Sequence, residues 1–195
     1  MDYTKDIRWY LEEERKVLES LDEKEISDVM NVLENTRLNG NRVFICGNGG
    51  SAATASHFCC DFNKGVSYSQ EVKYNFECLN DNVPMMMAIA NDISYEDIFS
   101  EPLKNKMRKE DVLLAISGSG NSKNVVKAVE YAKGIGATTV GLVGYSGGKI
   151  KELVDHCIHV KIDNMQIVED VHMAMNHVMM YVLSALNNKT MSIDK

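Results

Sequence analysis

A strand that runs straight into a glycine-rich turn and then a helix leaves few folds open, and residues 43–53 form such a stretch. Val43, Phe44 and Ile45 are apolar; Cys46, Gly47, Asn48, Gly49 and Gly50 follow, and Ser51, Ala52 and Ala53 begin a helix. The glycines let the backbone turn sharply and bring its N–H groups close to a ligand. The helix behind them adds unsatisfied N–H groups and a partial positive charge. That combination is an anion site, most often for phosphate. Further along the same helix, His57 and Asp61 are four residues apart, so they share a face with about 6 Å of rise between them. A phosphate cradle and a His/carboxylate pair on one helix point to an enzyme.

A second loop repeats the arrangement. The apolar run Val112–Ile116 leads into Ser117, Gly118, Ser119, Gly120, Asn121 and Ser122, and a helical pattern starts at Asn124. Ser117, Ser119 and Ser122 can each donate to a phosphate oxygen, and the N–H groups of residues 118–122 can converge on it. Taken alone, Ser122 could simply cap the helix. Two such loops after two strands of one sheet favour phosphate binding. No Gly-Lys-Ser/Thr follows either loop, and the Gly-x-Gly-x-x-Gly dinucleotide spacing is absent, so the expected ligand is a small phosphorylated metabolite.

The rest of the chain supplies the frame. Apolar runs at Val43–Cys46, Met85–Ala90, Val112–Ile116, Thr138–Val143 and Cys157–Ile162 read as strands. Helical patterns at 51–62, about 95–107, 122–134 and 148–154 lie between most of them. Alternating strands and helices with continuously apolar strands indicate an α/β fold whose parallel sheet is covered on both faces. Ligands in such sheets sit at the carboxyl ends of the strands. Residues 4 to about 38 read as two amphipathic helices, residues 63–82 as a loop, and Met165 to Leu186 as a methionine-rich final helix with a frayed tail after Asn187. The formal charge of −7 argues against a nucleic-acid partner. Five cysteines without CxxC spacing suggest neither a disulfide framework nor a zinc knuckle. With no apolar leader and no long apolar run, the expectation is a cytoplasmic protein with no membrane contact.

Four segments together carry a family resemblance: Cys46–Ala53 with His57 and Phe58; Ala90, Asn91 and Asp92 with Tyr95 and Glu96; Ile116–Ser122; and Gly144–Lys149. They resemble the sugar isomerase (SIS) domain, and within that superfamily the phosphoheptose (sedoheptulose 7-phosphate) isomerases. The resemblance implies an SIS-type sandwich with a five-stranded parallel sheet flanked by helices, plus an N-terminal helical pair. It divides the chain into helices at 1–40 that pack at a subunit interface and a sugar-phosphate-binding unit at 41–190. It also implies a homotetramer with sites between subunits, and ketose-to-aldose isomerisation early in the synthesis of nucleotide-activated heptose. The substrate-binding set is Asn48, Gly49, Gly50, Ser51, Asn91, Asp92, Ser117, Gly118, Ser119 and Ser122. Asp92 is read as following a strand, where it either binds sugar hydroxyls or caps the next helix.

Such an isomerisation moves a proton between adjacent carbons through an enediol, and needs a base, a group that polarises the carbonyl, and a fixed phosphate. The resemblance makes His57 a metal ligand, Asp61 ligand and base, and His177 ligand and acid/base, with Glu169 completing the set. Asp61 stands where the family has Glu, so its carboxylate is withdrawn by about 1.5 Å, enough to change catalysis steeply. Glu169 stands where the family has Gln. A His57/Asp61/Glu169/His177 set suits zinc, although Glu169 and His177 are separated by about 12 Å of helix rise. The two departures could compensate, with Glu169 as the base, or mark a different sugar or a lost reaction. His172 is either a supporting or a structural residue. The competing functions are a non-catalytic SIS protein that senses a sugar phosphate or binds a replication initiator, and an isomerase for another ketose phosphate. Retention of the acid/base set favours the enzyme.

Overall fold

In the computed structural model, which describes residues 1–193, the glycine loops follow neighbouring strands. The five strands are β1 (Val43–Cys46), β2 (Phe76–Cys78), β3 (Val112–Ser117), β4 (Thr138–Val143) and β5 (His156–His159). They lie in the order β2-β1-β3-β4-β5, all parallel. The order reverses between β1 and β3, and the crevice at such a reversal is where ligands bind in open parallel sheets. Both glycine loops leave from the carboxyl ends of these two strands.

The helices are α1 (Thr4–Glu19), α2 (Glu23–Leu38), α3 (Gly50–Cys60), α4 (Val83–Asp92), α5 (Ser100–Lys106), α6 (Lys123–Gly134), α7 (Gly148–Leu153) and α8 (Met165–Ile193). Successive strand residues point to opposite faces, and each face has its own core. Ile45, Leu114, Val140, Leu142 and Ile158 pack with Val29 and Leu33 of α2, Phe58 of α3, and Met175 and Met179 of α8. Phe44, Leu113, Ala115 and Val143 pack with Leu103 of α5, Val125 and Val129 of α6, and Ile150 of α7. β1 and β3 are buried at every position, which is why their sequences are apolar without alternation. Burial of each large aliphatic or aromatic side chain contributes about 1.5–3 kcal/mol. Truncating the fully buried Leu114 to Ala would cost about 2–5 kcal/mol.

Several expectations need correction. The run Met85–Ala90 is helix, not strand. Asn82 accepts a hydrogen bond from the Met85 N–H and Pro84 sits in the first turn, while Met and Ala favour helix over strand. The missing strand, β2, lies at Phe76–Cys78, inside the stretch read as a loop. Its brevity and edge position left too little periodic signal. Asp92 therefore ends a helix instead of following a strand, and Ser94, not Asp92, caps the short turn at Tyr95–Asp97. The pattern at 95–107 divides into that turn and α5. The last strand stops at His159, and α8 continues to Ile193.

Two features at the ends of α3 position the site. Gly49 takes φ +55° ahead of the helix, a conformation suited to glycine. At the other end the chain continues as a π turn, Asp61–Gly65, a local widening often found at functional sites. Phe62 in that turn packs between Phe58, Tyr74 and Phe76. The Asn63 side chain bonds both the N–H and the carbonyl of Phe76 at 2.8 Å. The turn that carries Asp61 is thus fastened to the sheet edge.

Candidate active site

The cradle is built from backbone and asparagines. Asn80 receives the Gly47 N–H at 3.2 Å and donates to its carbonyl at 2.8 Å, extending strand-like pairing into the first loop. Asn48 and Asn124 exchange a reciprocal pair of 2.9 Å hydrogen bonds, tying the first loop to the start of α6. The Tyr95 hydroxyl also donates to Asn48. In the second loop Gly120 takes φ +65°, and a side chain there would collide with the Gly147 backbone. Ser117, buried, donates to the Ser122 hydroxyl at 3.2 Å. Ser122 makes no cap to α6, and α3 has no side-chain cap either, whereas Asp22 caps α2 and Asn82 caps α4. The two helices that face the switch point lack a side-chain N-cap, although in α6 the Val125 N–H is taken by Asn124 Oδ1 at 3.0 Å, so their remaining first-turn N–H groups are the ones open to an anion. Ser51 is buried at the head of α3, and Gly118 packs against Met165 and Val168 of α8. A cavity of about 270 Å3 opens beside Gly47, Asn48 and Gly49 and is walled by Met86, Met87, Ala90 and Tyr95.

Asn91 and Asp92 stand exposed at the end of α4 and bond each other at 2.8 Å. Among the described residues they make no hydrogen bond to either loop.

At the far end of α3 a second cluster forms. His57 Nε2 lies 3.0 Å from His177 Nε2 and 3.3 Å from Asp61 Oδ2, and His177 Nε2 is 3.8 Å from the same oxygen. The rings meet edge to face, with centroids 5.2 Å apart. Asp61 is shielded, with 13% of its side chain exposed, while His57 and His177 are open at 42% and 56%. Two imidazole nitrogens so close must either share one proton or direct both lone pairs at a cation. Tetrahedral zinc with bonds of about 2.0–2.1 Å spaces its ligand atoms by about 3.3 Å. The three donor atoms, all within 4.8 Å of one another, fit such an ion.

Glu169 is elsewhere. Its carboxylate rests against Gly50, where any side-chain carbon would strike it, so it occupies the cradle end of α3, two helical turns from His57. It is not part of the His57/Asp61/His177 cluster. His172 is buried, and neither ring nitrogen has a hydrogen-bond partner. Burial pushes its pKa down to about 4, and a backbone group of Val143 opposes that shift only in part. It stays neutral at pH 7.

Sequence reasoning missed Asn80, Asn124 and Asn176. The first two carry no spacing signal. Asn176 does carry one, being a polar residue on an apolar helix face beside His177.

Fold and site together define a protein of the sugar-phosphate-handling α/β class. The SIS domain family profile matches residues 3–144, and the chain belongs to that family. A phosphoheptose isomerase from Helicobacter pylori is 40% identical over 166 residues, 85% of each chain. One from Akkermansia muciniphila is 35% identical over 153 residues, 78% of this chain and 80% of the relative. The solved phosphoheptose isomerase of Neisseria gonorrhoeae superposes with a TM-score of 0.86 at 25% identity, covering 94% of this chain and all of that one. With these relatives, the chain is a phosphosugar isomerase.

Proposed function

We propose that the protein converts sedoheptulose 7-phosphate to an aldose heptose 7-phosphate by metal-assisted enediol chemistry, in the cytoplasm, as a step toward heptose for surface polysaccharide. The observation that carries this reading is the convergence of His57, Asp61 and His177 two turns along α3 from the glycine cradle. From Gly50 to His57 the helix rises about 10 Å, a span suited to a seven-carbon sugar with phosphate at one end and carbonyl at the other. The relatives are named phosphoheptose isomerases, which supports a seven-carbon sugar phosphate as substrate.

In this mechanism the hydroxyls of Ser119 and Ser122 and the loop N–H groups other than those of Gly120 and Asn121, which bond the Ser117 carbonyl and the Ser119 hydroxyl, hold the phosphate, with Asn48, Gly49, Gly50 and Ser51 closing the other side. Gly118 lets the loop pack closely against Met165 and Val168 of α8, and Ser117 orients Ser122. Asn91 and Asp92 would reach the sugar hydroxyls from α4. Zinc, held by His57, Asp61 and His177, would supply Lewis-acid polarisation of the substrate carbonyl. Asp61 takes the proton from the carbon next to the carbonyl, and His177 moves protons between the enediol oxygens. Asp61 then returns the proton to the neighbouring carbon, while Glu169 stays over Gly50 at the phosphate end.

The assembly proposed is a homotetramer with sites between subunits, in which the outer faces of the helices at 1–40 pack at the interface while Val29 and Leu33 of α2 stay in the subunit's own core. Ile7, Trp9 and Leu11 on α1 and Val178, Tyr181 and Val182 on α8 are exposed, and a second copy would cover such faces. No helix among the described residues is long and apolar enough to cross a membrane. Purified protein, zinc-loaded or chelator-stripped, should be incubated with sedoheptulose 7-phosphate and followed by NMR. The zinc form should yield the aldose. Binding without turnover in both forms would overturn the proposal in favour of a sugar-phosphate sensor.

A further inference from the structure

The face of α8 that meets the sheet is apolar, with Met175, Met179 and Leu183 in the core. Asn176 interrupts it. The residue is fully buried, and its Nδ2 donates to Asp61 Oδ2 at 2.6 Å. A carboxylate only accepts, so the amide nitrogen must face Asp61. The amide oxygen then points into the protein, buried and without a partner. An apolar side chain of similar volume would remove that unpaired acceptor and continue the methionine stripe, so stability alone does not explain an asparagine here. The oxygen it holds is the one that both imidazoles approach, His57 Nε2 at 3.3 Å and His177 Nε2 at 3.8 Å.

We infer that Asn176 is a positioning residue: it fixes the Asp61 carboxylate so that one oxygen faces the nitrogens of His57 and His177. The role follows from the short side chain at position 61. An aspartate has fewer bonds with which to reach the imidazoles than a glutamate, and the amide from α8 holds it in the one orientation where it does. Asn176 also precedes His177 on the same helix, so one helical segment sets both groups.

The inference rests on the reading of His57, Asp61 and His177 as a metal and proton-transfer site. The test compares wild type, Asn176→Leu, Asn176→Met and Asp61→Asn. Cobalt(II) and zinc affinities and the cobalt(II) visible spectrum are measured, together with kcat and KM for sedoheptulose 7-phosphate at saturating zinc, and the Tm of the metal-free proteins. Loss of an outer hydrogen bond to a ligand weakens metal binding by about 10–100-fold. Both Asn176 variants should show that loss, an altered cobalt spectrum and a lower kcat with little change in KM, at an unchanged or raised metal-free Tm. Wild-type affinity, spectrum and kcat in these variants would overturn the inference. So would an affinity loss that appears only where Tm has fallen, since Asn176 would then be a packing residue. If wild type and Asp61→Asn alike bind no cobalt or zinc, the site reading itself fails and takes the inference with it. Equal binding by wild type and the Asn176 variants removes the inference alone.

Discussion

The two ends of α3 do different work by different means. At its start, the cradle is made of backbone N–H groups, glycines and hydroxyls drawn from two short loops, each contiguous in sequence. At its end, His57 and Asp61 depend on His177 and Asn176, which arrive on α8 more than a hundred residues later. The first end takes its loops from local sequence, and Asn80 and Asn124 pin them by pairs with Gly47 and Asn48. The second exists only when α8 packs in register on α3, and there each side chain is individually needed.

The largest effect should come from the second end. His177→Ala or Asp61→Asn should lower kcat by about 10³-fold, within the 10²–10⁴ range of a lost acid/base group, with KM changed far less. A drop mainly in KM would place these residues in binding and erase the contrast.

The buried face of α8 between the ends gives a pH signature. His172 has a folded pKa of about 4 against an ordinary 6.5, so between those values the unfolded chain binds the proton first. Stability contributed by neutral His172 is present above pH 6.5 and declines as pH falls toward 4, by roughly 3 kcal/mol in total. Urea titrations across that window should show a steeper decline in wild type than in His172→Leu. Parallel curves would mean the ring is not buried as described.

At the cradle, Ser119→Ala combined with Ser122→Ala should raise KM by about 10–10²-fold through lost charge-assisted hydrogen bonds, leaving kcat within a few-fold. An unchanged KM would move the phosphate elsewhere. Gly50→Ala sharpens the comparison at the first end, where α3 meets Glu169 of α8. The new methyl group would displace only the end of the flexible Glu169 side chain, so thermal melts should move by about 0.5 kcal/mol or less. A loss of several kcal/mol would show that Glu169 is held rigidly over Gly50.

What could be read from the sequence divides along the same line. Both glycine loops, β1, β3, β4, α6 and α7 follow from local pattern, because strand, turn and helix signals are adjacent there. β2 and α4 did not, since a three-residue edge strand has no period and an apolar Met/Ala run fits either element until Asn82 and Pro84 are recognised as a helix start. The His57/Asp61 pair was visible as spacing on one helix. Its union with His177 came from family resemblance, because nothing local to residue 177 records which neighbour it meets. Asn80, Asn124 and Asn176 act through tertiary pairing alone, so composition and period are silent on the first two. Only Asn176 betrays itself, as an amide on an apolar stripe. Glu169 illustrates the converse. Its identity stood out in the sequence, but its place against Gly50 depends on a rotamer and on the packing of two helices.

The claim that both ends of α3 act on one sugar phosphate through an enediol is tested most directly by isomerisation in D2O. Zinc-loaded protein should turn sedoheptulose 7-phosphate into an aldose carrying deuterium at C2, and Asp61→Asn should show neither product nor exchange. An aldose formed with C2 fully protiated, or a ketose that remains bound and unexchanged, would contradict the account.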